Sequence, residues 1–448
     1  MIKYNLKDYL QEESNATNAL QKAIDFCFLQ GGGEIVIPQG DYYIGGIIMR
    51  SNITLHLQKN AHLIASRNPE DYMNFLNDQI NPISKEDKTD LLWMPVKERK
   101  TNDHMNKPAS RWNNAVIKAI DAENISIIGE EGSYIDGQDC FDELGEEHYR
   151  GPHAINMHRC RNLYFYGYEI KNSANWAHAL FDCDNITAKN IRVTAGHDGI
   201  HLTSCDNITI SDCDFQTGDD CIAGIDNLNV YVNNCMLNSS CNGFRFGGRN
   251  IVVENCYLYG PGNYLFRGTL TAEEKRNGVI AKNTEHKNNM LSAFLYYCDF
   301  SRPVRYNAGN IVFRNCKFKN VERFLEYNFS GSNPWQRNKP LESIRFENIT
   351  SEGIKIPLVF YCDEKINATL EILNCDIDFS DDAQGAFMHL CNHGQVLLKD
   401  VTIKHCRNDV LIKKWSSGGE IVCDNLNCID FEGEIEKLTE EEFNCKWI

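Results

Sequence analysis

The fold class this sequence predicts is all-β: a single-stranded right-handed parallel β-helix, closed at its start by a capping helix. Three observations lead there. The length of 448 residues exceeds what one compact core usually serves, which favours a solenoid that lengthens without thickening. A short phrase built on Asn recurs with no segment of helical period between its copies. A second phrase, ending in Cys, keeps the same pace beside it.

The first phrase reads "CRNLYFYGYEI" from Cys160, "CDNITAKNIRV" from Cys183, "CDNITISDCDF" from Cys205, "IDNLNVYVNNC" from Ile225 and "GRNIVVENCYL" from Gly248. Its Asn residues at 162, 185, 207, 227 and 250 stand 23, 22, 20 and 23 apart, a repeat of about 22 residues. Each copy holds short runs of Ile, Val, Thr and aromatics broken by Asn, Asp and Gly, which reads as strand and turn. The second phrase is "DC" at 212–213 and "NC" at 234–235, 255–256, 315–316 and 374–375. Identical small residues one coil apart imply ladders, with the thiol as a compact apolar filler and Asn or Asp where the backbone turns left-handed. Leucine-rich repeats share the period but need a Leu framework that this chain lacks.

Taken in order, "TNALQKAIDFCFLQGGG" predicts a helix from about Thr17 to Leu29, stopped by glycine. With the first strands it forms a cap over about 15–45, covering apolar core and strand edges that a bare first coil would expose. The repeat is under way by "SNITLHL" at Ser51. A charged stretch at about 68–111 interrupts it and is expected to be a long loop over one face, a common place for binding residues. The main coils occupy about 112–430, with looser copies from Gly309, Glu342, Ala368 and Val396, so that residues 1–448 make one domain. The acidic end "EGEIEKLTEEEFNCKWI" suits a short helix.

A formal net charge of -17 without any Lys/Arg block argues against nucleic acid as partner. No apolar run approaches the length needed to cross a bilayer, so no membrane partner is expected. The start lacks the succession of a signal peptide, which points to a cytoplasmic protein. The 19 cysteines show no paired spacing suited to zinc and are expected to be reduced, buried thiols rather than metal ligands.

Against this background "GHDGIHLTSCDNITISDCDFQTGDDCIAG" concentrates acids. Asp198 and Asp220 lie 22 residues apart, one repeat, and should stack on neighbouring coils about 4.8 Å apart with Asp219 alongside. Crowded carboxylates push at least one proton affinity upward, which suits general acid and base work. By spacing alone the same residues also suit a structural turn or a calcium site.

From "GDDCIA" back through "GSYIDGQD", "NSANWAHALFDCDNIT" and "QKAIDFCFLQGGGEIVIPQGDYYIGG", the chain resembles glycoside hydrolase family 28, the polygalacturonase-like inverting hydrolases on a pectin-lyase-like solenoid. The family's Asn-Thr-Asp-Gly stands here as Gly196, His197, Asp198 and Gly199, and its Gly-Asp-Asp as Gly218, Asp219 and Asp220. The resemblance implies that Asp219 is the general acid, while Asp198 and Asp220 position and deprotonate the attacking water. Two motifs depart from the pattern. Gly-His-Gly is replaced by Cys241, Asn242 and Gly243, and Arg-Ile-Lys, which grips the substrate in the family, by "GNYLFRGT", with Arg267 displaced but kept as a candidate substrate-binding residue and no matching lysine.

His201, after "DGI" where relatives often have Asp, joins Arg245 and Arg249 as residues able to compensate. His197 can bond the acid cluster, and Trp176 can serve as a sugar-stacking platform or as core. The expected function is therefore cleavage of an α-linked glycosidic bond in a pectin-derived or related plant oligosaccharide, exo-acting and inverting, with no cofactor. The alternatives are a calcium-dependent uronate lyase, its ion held by Asp198, Asp219 and Asp220 with Arg245 as base, and a non-catalytic carbohydrate-binding β-helix.

Overall fold

The computed structural model describes residues 2–10, 15–75, 111–283, 287–298, 304–329 and 339–440. Most of the expected loop at 68–111, and the acidic end from 441, lie outside the described residues; the start of that end corrects the expected short helix, because Glu434–Leu438 is a strand paired with Val410–Lys414. The chain divides into two compact units: Met1–Asp219 with Asn263–His286, and Asp220–Gly262 with Lys287–Ile448.

In the first unit the predicted helix spans Ala16–Leu29. Asn15 caps it by accepting from the Asn18 backbone N–H, and Ala19, Leu20, Ala23, Ile24 and Cys27 form its buried stripe. Gly32 then turns with φ +109, and a Cβ there would come to 2.4 Å from the Asn52 carbonyl oxygen, so the helix stop admits only glycine.

Three columns of parallel strands follow. One runs Gly33–Ile37, Ile53–Leu57, Glu123–Gly129, Arg161–Tyr166, Asp184–Lys189 and Asp206–Ser211. A second runs Tyr134–Asp136, Glu169–Lys171, Arg192–Ala195 and Asp214–Thr217. The third, Ala115–Ile120, His153–His158, His178–Phe181 and Ile200–Thr203, leads to the acids.

Inward positions stack like on like, as in Ile125, Leu163, Ile186 and Ile208, all buried. At the turns Asn124, Asn162, Asn185 and Asn207 take φ near +55 to +58. Their amides chain from coil to coil: Asn162 donates to Asn124 at 2.8 Å and Asn185 to Asn162 at 3.1 Å. Short polar side chains are the ones that tolerate left-handed backbone and bond locally. The thiols stack too, the Cys160 N–H lying 3.4 Å from Cys183 Sγ and the Cys183 N–H 3.4 Å from Cys205 Sγ. Every described cysteine is free, and Cys423 alone among them is exposed, so the thiols are core filler as the ladders implied.

The second unit repeats the pattern with Ile222–Asn233, Asn242–Glu254, Gly309–Arg314, Ser343–Glu347, Thr369–Phe379, Gln395–Lys404 and Glu420–Ile429 in parallel register. One expectation needs correction. The ladder residue of its first coil is Asn229, with φ +56 and a 3.0 Å bond from Asn250, not Asn227, which is buried beside a register shift between Gly224 and Asn227. With Asn229 in place the spacings on either side become 22 and 21.

Two core histidines set an acid limit on stability. His178 donates from Nδ1 to the Gly199 carbonyl and accepts at Nε2 from the Tyr168 hydroxyl, and burial depresses its pKa to about 4. Burial, reinforced by Arg150, takes His153 down to about 3. Both stay neutral when folded but bind a proton once unfolded below the ordinary pKa of about 6.5, so their contribution is complete above that value and is lost as pH falls toward 4. Asp139 opposes them: burial raises it to about 6, giving stability that is lost as pH rises through that value. With His389 and His393 also lowered to about 4, the histidines dominate. The melting temperature is expected to fall between pH 6.5 and 4, as circular dichroism melts across that range would show; a rise would contradict the assignment.

Candidate active site

Asp198, Asp219 and Asp220 each present a carboxylate oxygen within 4.8 Å of the others. Asp198 and Asp220 are buried and Asp219 is half-exposed, so the trio turns a single acid toward solvent. The turn geometry is set by glycine. The Gly218 N–H bonds the Ala195 carbonyl at 2.9 Å, and a Cβ on Gly218 would lie 2.1 Å from the Leu265 carbonyl oxygen and 2.7 Å from that of Gly196. The glycine of Gly-Asp-Asp is therefore required by the Leu265 segment crossing against it.

In the first unit, His201 Nδ1 lies 2.9 Å from Asp198 Oδ2. The imidazole stacks flat on Trp176, centroids 3.6 Å apart and planes 2° apart, and Trp176 meets Trp112 edge-on at 5.1 Å. Trp176 is thus buried in a cluster with Trp112, Ala179 and Phe181 rather than offered to a sugar.

His197 faces another way. Its Nδ1 accepts from Arg150 at 3.0 Å, and burial, with Arg150 and Arg267 close by, holds its pKa well below the usual histidine range. The Tyr149 ring stacks beside it at 5.9 Å. Burial raises the Tyr149 phenol, and the Glu147 charge, with a smaller effect from Asp219, adds to the rise against the lowering by Arg150. Lys275 projects from the short helix Ala272–Arg276, closed by a Thr271–Glu274 capping box, and its Nζ sits 4.0 Å from the Tyr149 ring centre. Tyr149, Arg150 and Lys275 thus gather around His197, a grouping that sequence reading missed.

Arg267 is a correction. Its side chain is buried, donating to the Ala174 carbonyl at 3.0 Å and the Asp139 carbonyl at 2.5 Å, with the Asp139 carboxylate 3.7 Å from Nε. The guanidinium ties the 263–286 segment to the first unit and does not face a ligand.

In the second unit, Asn242 Nδ2 donates to Asp220 Oδ1 at 2.8 Å. The residue standing where the family has histidine therefore still supports an acid, with an amide in place of an imidazole. Arg245 brings its guanidinium to 4.0 Å from Asp220 Oδ2 and over the Tyr297 ring at 4.1 Å. Arg249 instead pairs with Glu342 at 2.6 Å and is not part of the group.

One half-exposed carboxyl, flanked by two buried carboxylates that each meet a side-chain nitrogen, is an arrangement for moving protons at a single bond. Stacked parallel coils of this kind define the class of fold: a right-handed parallel β-helix. Residues 97–247 match the model of the glycosyl hydrolases family 28.

Solved structures agree in fold. A hyperthermoactive exopolygalacturonase from Thermotoga maritima aligns with 94% of this chain and 92% of its own at 18% identity and a TM-score of 0.59. A family 28 exopolygalacturonase from Yersinia enterocolitica covers 97% of this chain and 79% of its own at 15% identity and the same score of 0.59. The polygalacturonase from Erwinia carotovora covers 95% and 94% at 15% identity and 0.53.

Proposed function

We propose that the protein is an inverting glycoside hydrolase acting on an α-linked, pectin-derived or related oligosaccharide, from the chain end. The observation that carries this reading is the half-exposed Asp219 set between Asp198, held by His201, and Asp220, held by Asn242. Asp219 donates its proton to the glycosidic oxygen as the bond from that oxygen to the anomeric carbon breaks. Water adds to the anomeric carbon, and its proton passes to the Asp198 and Asp220 pair. Arg245 supplies positive charge beside Asp220, where an acidic or hydroxyl-rich sugar would lie.

The carboxylates approach within 4.8 Å, closer than the roughly 6.5–9.5 Å usually found in inverting enzymes, so inversion rests on the family resemblance. The test is a panel of oligogalacturonides and of fragments containing rhamnose or galactose. Monosaccharide released from the chain end from the earliest time points is the expected result. A ladder of internal fragments would exclude end-wise action, and the absence of turnover on the whole panel would end the hydrolase reading.

A further inference from the structure

We infer that His201 is a positioning residue for Asp198, and that Trp176 is the wall that sets the His201 ring rather than a platform for sugar. The inference rests on the hydrolase reading above. The 2.9 Å contact from Nδ1 to Oδ2 joins side chains that are only 5% and 3% exposed. The imidazole has one face flat on Trp176, which is itself fixed by Trp112 and by a bond from its backbone N–H to Asn175 Oδ1. His201 sits in register with Ala179, whose small side chain leaves room for the ring. The turn is held as well, because the Asp198 carbonyl accepts from the Ala177 N–H at 2.9 Å.

Ring plane, ring height and the Asp198 carboxylate are therefore tied together through the His201 contact. Asn242 holds Asp220 in the corresponding way. The departure at Cys241, Asn242 and Gly243 has not left the acids without an imidazole. The imidazole supports Asp198, the other water-handling carboxylate. A carboxylate free to rotate would lose the orientation on which attack by its water depends.

Two substitutions separate donor from shape. His201→Phe keeps the stack on Trp176 and removes the N–H; His201→Asn carries an amide nitrogen close to the position of Nδ1. On the oligosaccharide that wild type cleaves best, His201→Phe is expected to lower kcat roughly 10²-fold with KM unchanged, and His201→Asn to recover at least tenfold of that loss. A His201→Phe enzyme with wild-type kcat, or a His201→Asn enzyme no better than His201→Phe, would overturn the role. A fall in melting temperature with kcat intact would reduce His201 to packing.

Nitrogen NMR of the imidazole gives a readout that needs no turnover. Wild type should show the Nδ1–H tautomer, and Asp198→Ala should lose it; an Nε2–H tautomer in wild type would refute the pairing even in an active enzyme. Wild type that cleaves nothing while showing Nδ1–H would sink the hydrolase reading and, with it, the catalytic purpose of the contact.

Discussion

Asp219→Asn is expected to lower kcat by about 10³-fold on natural oligosaccharides, within the range that positioned proton transfer supplies. The amide matches the carboxyl in shape but has no proton to give the departing oxygen. Since Asp219 is the half-exposed member of the trio, its replacement leaves the anchored pair with their own donors and should change neither KM nor melting temperature. The loss should shrink sharply on a nitrophenyl glycoside, whose leaving group departs without protonation. The same substitution at Asp198 or Asp220 should impair both substrates alike, because water must still attack. Equal losses for Asp219→Asn on the two substrates would remove Asp219 from the acid role.

Arg267→Met is expected to be the most damaging change to stability, at about 3–5 kcal/mol, the cost of breaking a buried charge pair by deleting one partner. Arg267 is 1% exposed, and its removal leaves the Ala174 and Asp139 carbonyls without donors and the Asp139 carboxyl without its nearest cation. The 263–286 segment, which places Lys275 and crosses Gly218, should loosen as well. Denaturant unfolding would register a large drop in midpoint. An Arg267→Met protein of wild-type stability but raised KM would instead restore the substrate-binding role that the sequence suggested.

The contrast between Arg267 and the acids shows what this sequence makes legible. A solenoid converts distance along the chain into height, so the 22-residue spacing of Asp198 and Asp220 is enough by itself to bring them together. The Asn and Cys ladders are readable for the same reason: each coil asks the same small residue to fill the same place. "IDNLN" misleads because it offers Asn227 and Asn229 two positions apart, and the register shift after Gly224 decides between them. Contacts made by the insertions obey no repeat. The bonds from Arg267 to Ala174 and Asp139 cross about a hundred residues or more, and the approach of Lys275 to Tyr149 crosses more than a hundred, with no motif to mark either. The altered motif at Cys241, Asn242 and Gly243 reads as a loss because a string of residue types does not say that an amide reaches an acid's oxygen.

The chemical nature of the product tests the central claim most directly. Wild-type protein should release reducing ends from an α-linked oligosaccharide without any new ultraviolet absorption, at the same rate with and without a divalent-ion chelator, while proton NMR of the first product shows the β-anomer. An unsaturated, ultraviolet-absorbing product that disappears with chelator would mean that the three aspartates hold a cation for elimination, and would contradict hydrolysis by Asp219 and its two neighbours.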